Sequence, residues 1–220
     1  MTTQAHISES TPYQGQFGEY TITTHDRIEV IVYRTGLMIA ALCFAMATAI
    51  VLWQGDSPLS LTALTVLYAC FWVALGISLF TIHIYLAILH RLLQLFWLIG
   101  GVAAVVVALN ASEPLVAAVY HHPNTLLGVG WTFVALTGIY FKEAFCFNRL
   151  ETKLLTPLVP LLLLGYMAGF WSVINQKFLL FFWAIQFMIF VIRKAFQAIP
   201  PDIGDKSVFE YLRNPRSREA

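Results

Sequence analysis

Apolar residues run through the chain in long stretches, and the polar residues collect between them. Crossing the hydrocarbon of a bilayer takes roughly 20 apolar residues in a helix, because backbone N–H and C=O groups must there be satisfied within the segment. The pattern predicts six such spans, at 35–53, 59–81, 92–109, 125–141, 157–174 and 178–192. The last is the shortest, but Lys177 before it and Arg193-Lys194 after it are placed to snorkel to the two surfaces. A further apolar piece, 114–120, is too short to cross and predicts a half-helix or surface helix in the loop before span four. Pro157 and Pro160 are read as first-turn residues of span five.

Composition supports this reading. The chain is 59% hydrophobic and 11% charged, with a mean hydropathy of +0.72, far outside the range of water-soluble domains. A formal net charge of +1 gives no reason to expect a nucleic-acid partner. Cys43, Cys70 and Cys146 show no CxxC spacing and read as small buried hydrophobes. Residues 1–26 form a polar tail with no Lys or Arg before Arg27, so it lacks the basic start of a signal peptide. Asp26, with Glu29 behind it, marks the start of the first helix. The domain plan is therefore a tail at 1–26, a membrane domain at 27–194 and a charged carboxy-terminal tail at 195–220.

Charge fixes the orientation. Of the 13 Lys and Arg residues, all but Lys177 fall on the side that six spans assign to both termini. Basic residues favour the cytoplasmic side, so the expected fold is an all-α, polytopic bundle of about six transmembrane helices with both termini cytoplasmic.

Candidate chemistry is sparse. Lys142 and Glu143 sit at the inner mouth of span four, where they read as interfacial, with Glu143 paired to Arg91 across the bundle. If the helix continues, Lys142, Arg149 and Lys153 line one side of it. With Arg91 they form a basic surface for lipid phosphates or an acidic partner loop. His83 and His90 are seven residues apart and share a face if 83–94 is one helix, which makes either a candidate axial ligand for haem or chlorophyll. His121, His122 and Glu113 are a candidate cation site on the outer side. Ala41, Ala45 and Ala49, like Gly165 and Gly169, repeat at four-residue spacing and read as helix-packing ridges. The Walker, HExxH, GxSxG and CxxC patterns are absent. A three-plus-three inverted repeat is compatible with the span count, but the halves share only Thr35-Gly36 and Thr137-Gly138.

Two stretches carry a family resemblance: "YFKEAFCFNRLETKLLTPLVPLLLLGYM", starting at Tyr140, and "IHIYLAILHRLLQLFW", starting at Ile82. Over about 27–194 the chain resembles uncharacterised integral membrane proteins of cyanobacteria and plastid-bearing eukaryotes, a family defined as a domain of unknown function. The resemblance implies a photosynthetic lineage, hence a plasma or thylakoid membrane, and brings no catalytic residues with it. The residues themselves favour a non-enzymatic interaction or assembly factor for membrane complexes. A tetrapyrrole-binding protein and a carrier of a neutral solute are the alternatives. Reporter fusions at the two ends are expected to report the same, cytoplasmic compartment; ends in different compartments would mean an odd number of crossings.

Overall fold

The computed structural model describes residues 12–54 and 57–213. The first eleven residues of the polar tail, and Arg216 and Arg218 of the charged tail, lie outside this range. In chain order the elements are strands β1 (Tyr13–Gly15) and β2 (Gly18–Tyr20), then helices α1 (Thr24–Trp53), α2 (Pro58–Thr81), α3 (Ala87–Asn110) and α4 (Leu115–His121). A 3-10 turn (Pro123–Thr125) leads into α5 (Leu126–Val129), α6 (Trp131–Phe147), α7 (Leu150–Met167), α8 (Val173–Ala195), α9 (Pro200–Ile203) and α10 (Lys206–Arg213). Five of these helices are each long and apolar enough to cross a membrane, and the count is six if the segment Pro123–Val129 and α6, bent by 57° between them, form one span. The chain is a polytopic helix bundle, as its hydropathy requires. The short piece before span four is α4, also as expected.

Two compact units divide the chain, Val32–Gln197 and the described parts of Met1–Ile31 with Ala198–Ala220. In the first, a buried core gathers side chains of α1, α2, α3, α6, α7 and α8, among them Leu37, Leu75, Leu136, Leu155 and Phe187. Trp183 is at its centre, tilted against Phe44 at 4.5 Å and edge-on to Phe133 at 5.5 Å, and its indole N–H donates to the Tyr140 hydroxyl at 3.2 Å. Outward faces stay apolar, as on α3, where Val102, Val105 and Leu109 are exposed. Such a surface is stable only against lipid.

A reciprocal device joins α2 to α3. Both carry Trp-x-x-x-Gly, as Trp72-Gly76 and Trp97-Gly101. The two indoles stack at 4.2 Å, and each N–H donates to the backbone carbonyl of the other tryptophan, at 3.0 and 2.8 Å. Each ring lies on the glycine of the facing helix: a Cβ on Gly101 would come within 2.3 Å of the Trp72 ring, and one on Gly76 within 2.4 Å of the Trp97 ring. Neither polar N–H is left to lipid, where an unpaired donor is costly.

Helix ends differ from the sequence expectation for local reasons. α7 starts at Leu150, so Pro157 and Pro160 lie inside it and not in its first turn. It stops at Met167, because Gly169 adopts φ 67° and the N–H groups of Gly169 and Phe170 turn back to the carbonyls of Tyr166 and Gly165, a Schellman stop. Ser172 then caps α8 through its hydroxyl, so the sixth span begins at Val173 and is a full 23 residues long. Gly169 is thus a helix stop and not part of a packing ridge, and Gly165 faces Trp171. Ala41 is buried in the core, whereas Ala45 and Ala49 are only partly covered. Cys43 is buried, but Cys70 and Cys146 are exposed, contrary to their reading as core residues.

The other unit replaces part of the expected polar tail. β1 and β2 pair antiparallel with Tyr13 opposite Tyr20, and these rings stack at 5.7 Å. The carboxy-terminal segment clasps the hairpin turn: Asp205 accepts from the Gln16 N–H at 2.6 Å, and the Ser207 hydroxyl accepts from the Phe17 N–H at 3.0 Å. Gly15 leaves room for this, since a Cβ there would meet Asp205 at 2.3 Å. Burial raises the Asp205 pKa, but the hydrogen bonds from Ser207 and from the Gln16 and Val208 backbone outweigh it and hold the carboxyl below its ordinary range. The α1 N-terminus is a capping box, with the Thr23 hydroxyl accepting from the Asp26 N–H and Asp26 accepting from the Thr23 N–H. Asp26 is therefore the third residue past the cap, not the cap itself, and it also receives Lys206 at 2.9 Å.

Substituting Gly101→Val is expected to lower stability by about 1–3 kcal/mol through overpacking against Trp72. Thermal unfolding in mild detergent should show the double variant Gly101→Val, Trp72→Ala losing less than the sum of its parts.

Candidate functional site

Glu143 is fully buried, one turn before α6 ends at Asn148, whose left-handed φ of 51° stops the helix. Three donors converge on its carboxylate. The Tyr33 hydroxyl of α1 and the Lys142 ammonium each reach Oε1 at 3.0 Å, and the Lys194 ammonium of α8 reaches Oε2 at 2.5 Å. Lys142 precedes Glu143 on the helix, and neighbours in sequence do not face each other. Its long side chain therefore has to fold round to the acid. Aromatic faces receive the positive charge that one carboxylate does not balance: Lys194 Nζ is 4.2 Å from the Phe147 ring centroid and Lys142 Nζ 5.5 Å from it.

A second polar layer lies along the same helix ends. Arg149 donates to the Gln197 side chain at 2.5 Å, Arg34 donates to the Gln197 carbonyl at 2.6 Å, and Arg193 pairs with the buried Glu151 at 2.8 Å. Arg149 Nη1 and Glu151 Oε1 are buried without a hydrogen-bond partner among the described residues.

These contacts redraw the sequence picture. Lys142 and Glu143 lie near the end of α6 but are covered by protein, and Glu143 pairs with Lys142 and Lys194 and not with Arg91, which is an exposed residue of α3. The continuous basic stripe does not form, because α6 and α7 break at Asn148. Lys142 turns inward, Arg149 binds Gln197, and only Lys153 and Arg91 remain exposed. The cluster was detectable only as an acid and a base side by side in an apolar chain; Tyr33 and Lys194 lie 110 and 51 residues away from Glu143.

The histidines are dispersed. His83 is in the link between α2 and α3, outside any helix, so it does not share a helical face with His90. His90 Nε2 donates to the Leu79 carbonyl at 2.6 Å, which occupies the nitrogen a porphyrin metal would use. On the other link, His121 meets Glu113 at 2.9 Å, and His122 does not complete a three-ligand group among the described residues.

Along α1, ten to eighteen residues beyond Tyr33 and so about 15–27 Å from it, a cavity of about 190 Å³ opens between Cys43, Thr48, Tyr68, Leu115, Phe133 and Leu180. Its walls are almost wholly apolar.

The fold and these internal polar contacts define a multi-pass membrane helix bundle. The chain belongs to the family described as "Uncharacterized integral membrane protein (DUF2301)", whose sequence model matches residues 77–211. That stretch holds Lys142, Glu143 and Lys194, but not Tyr33 or Thr48. An uncharacterized protein of Haemophilus influenzae is 31% identical over 193 residues, covering 84% of this chain and 92% of its own length. No solved structure matches. The relative comes from a non-photosynthetic bacterium, so family membership does not by itself imply a photosynthetic lineage.

Removing one partner of a buried ion cluster strands the others. Glu143→Gln and Lys194→Met are each expected to cost about 3–5 kcal/mol in thermal unfolding. The triple variant Lys142→Met, Glu143→Leu, Lys194→Met should recover most of that loss. Single variants as stable as the unmodified chain would show that the cluster does not hold the helices.

Proposed function

We propose that this protein is non-enzymatic and works by binding other membrane components, as an interaction or assembly factor. The observation that supports the reading is the hairpin unit. It is closed by bonds between the two ends of the chain, Gln16 to Asp205 and Phe17 to Ser207, and it displays an aromatic pair, Phe17 stacked on Tyr211 at 4.0 Å with Phe17 46% exposed. Exposed aromatic residues are common anchors of protein interfaces. We infer from the uneven spread of Lys and Arg along the sequence that both chain ends, and so this unit, face the cytoplasm. The buried acids of the bundle are each held by a basic side chain, Glu143 by two lysines and Glu151 by the half-exposed Arg193.

The alternatives draw less support. A tetrapyrrole bound through His90 Nε2 would displace its bond to Leu79. A carrier of a neutral solute would need a path through the bundle, and the cavity described above, being apolar, offers none to a polar one. The sequence resemblance is the one ground for a thylakoid or other photosynthetic membrane, and the Haemophilus influenzae relative weakens it.

A photo-crosslinking residue at Phe17, activated in native membranes, is expected to trap a discrete larger species that persists on native gels in mild detergent. Only free monomer in both assays would overturn the reading.

A further inference from the structure

We propose that the surface around Phe17 and Tyr211 receives an arginine-bearing basic segment, of the kind found in the cytoplasmic loops of other membrane proteins. The inference rests on the interaction reading above and names the partner's chemistry. Phe17 is stacked flat on Tyr211, with 4.0 Å between centroids and 5° between planes, yet it stays 46% exposed. One face of the ring is taken, so the exposure belongs to the other face and the edges. A bare aromatic face attracts a cation, and the planar guanidinium of arginine stacks on it.

Charge is the second, independent observation. Residues 12–31 and 198–213, the described part of the hairpin unit, hold six carboxylates, against which stand Arg27, Lys206 and Arg213, a formal charge of −3. In 32–197, eight Lys and Arg against four Asp and Glu leave +4. Within the unit, Asp26 is held by Thr23 and Lys206, and Asp205 by Gln16 and Ser207. Glu19 and Glu210 are exposed and have neither an ion pair nor a hydrogen bond among the described residues. They stand beside the aromatic pair: Glu19 is two residues on from Phe17 in the hairpin, and Glu210 precedes Tyr211 in α10. Two acids without counter-ions beside a bare ring select a cation.

Place decides which cation. Three residues, 21–23, link β2 to α1, so the hairpin stays near the point where α1 leaves the membrane. Anionic headgroups of the cytoplasmic leaflet repel a unit of this charge. Cytoplasmic loops of membrane proteins, by contrast, carry an excess of Lys and Arg.

The test uses the full chain in phosphatidylcholine nanodiscs and two labelled peptides. One alternates arginine with glycine; in the other, citrulline, the uncharged isostere, replaces each arginine. Fluorescence anisotropy is expected to show saturable, salt-sensitive binding of the first and none of the second. Phe17→Leu, which keeps an apolar side chain but no π face, should weaken binding about two- to fivefold. Because it leaves the net charge unchanged, that loss separates a built surface from a diffuse negative field. Glu19→Gln combined with Glu210→Gln should weaken binding about two- to thirtyfold. All three positions are exposed, so the fold does not depend on them.

Equal binding of the two peptides by the unmodified chain would overturn the proposal, and that comparison needs no variant to fold. So would an affinity that neither Phe17→Leu nor the double glutamine variant changes. Crosslinking at Phe17 in native membranes separates this inference from the reading beneath it. A trapped membrane protein joined through a Lys- and Arg-rich segment supports both. A protein joined through a segment without basic residues overturns the partner chemistry alone. A trapped phospholipid or second copy of this chain replaces the proposed occupant and overturns it, and free monomer alone overturns both.

Discussion

A carboxylate cannot remain charged inside an apolar bundle unless cations and donors come with it, and Glu143 organises the polar end of this protein around that requirement. Tyr33 on α1, Lys142 on α6 and Lys194 on α8 all reach its two oxygens, which fixes the mutual rotation of three helices. Apolar packing alone tolerates sliding and rotation of one helix past another, because one methyl group is much like the next. A three-donor carboxylate does not, since each donor has one productive direction. The cluster is better understood as a device for uniqueness than as a source of net stability, because burying ions is costly even when they are paired.

Hydropathy was sufficient for the order of the long helices and for a count of five or six spans, because lipid imposes a length on each and forbids unpaired backbone between them. Helix ends were less legible. Gly169 in the left-handed region and the Ser172 cap move the boundary of the fifth and sixth spans by several residues, and neither effect changes the apolar count of a sliding window. The hairpin at Tyr13–Tyr20 was missed because its partners, Asp205 and Ser207, come from the other end of the chain. Short strands with polar faces carry no periodicity strong enough to betray them.

The site was legible only in fragments. An adjacent Lys142 and Glu143 in so apolar a sequence signalled something, yet a one-dimensional reading places charged residues at the surface by default, and Arg91 looked as good a partner as Lys194. The Trp-x-x-x-Gly repeat in α2 and α3 was visible in the letters and went unused; small residues drew attention as ridges for helices, whereas here glycines seat indole rings.

The tryptophan exchange bears on how the protein is made. Its two halves are 25 residues apart, whereas Lys194 is 51 residues beyond Glu143. During synthesis α2 and α3 can therefore lock as a hairpin with half of the chain still unmade, whereas the Glu143 carboxylate has only Tyr33 and Lys142 beside it until α8 brings Lys194. The last of the long apolar helices is thus the one that completes the ion cluster.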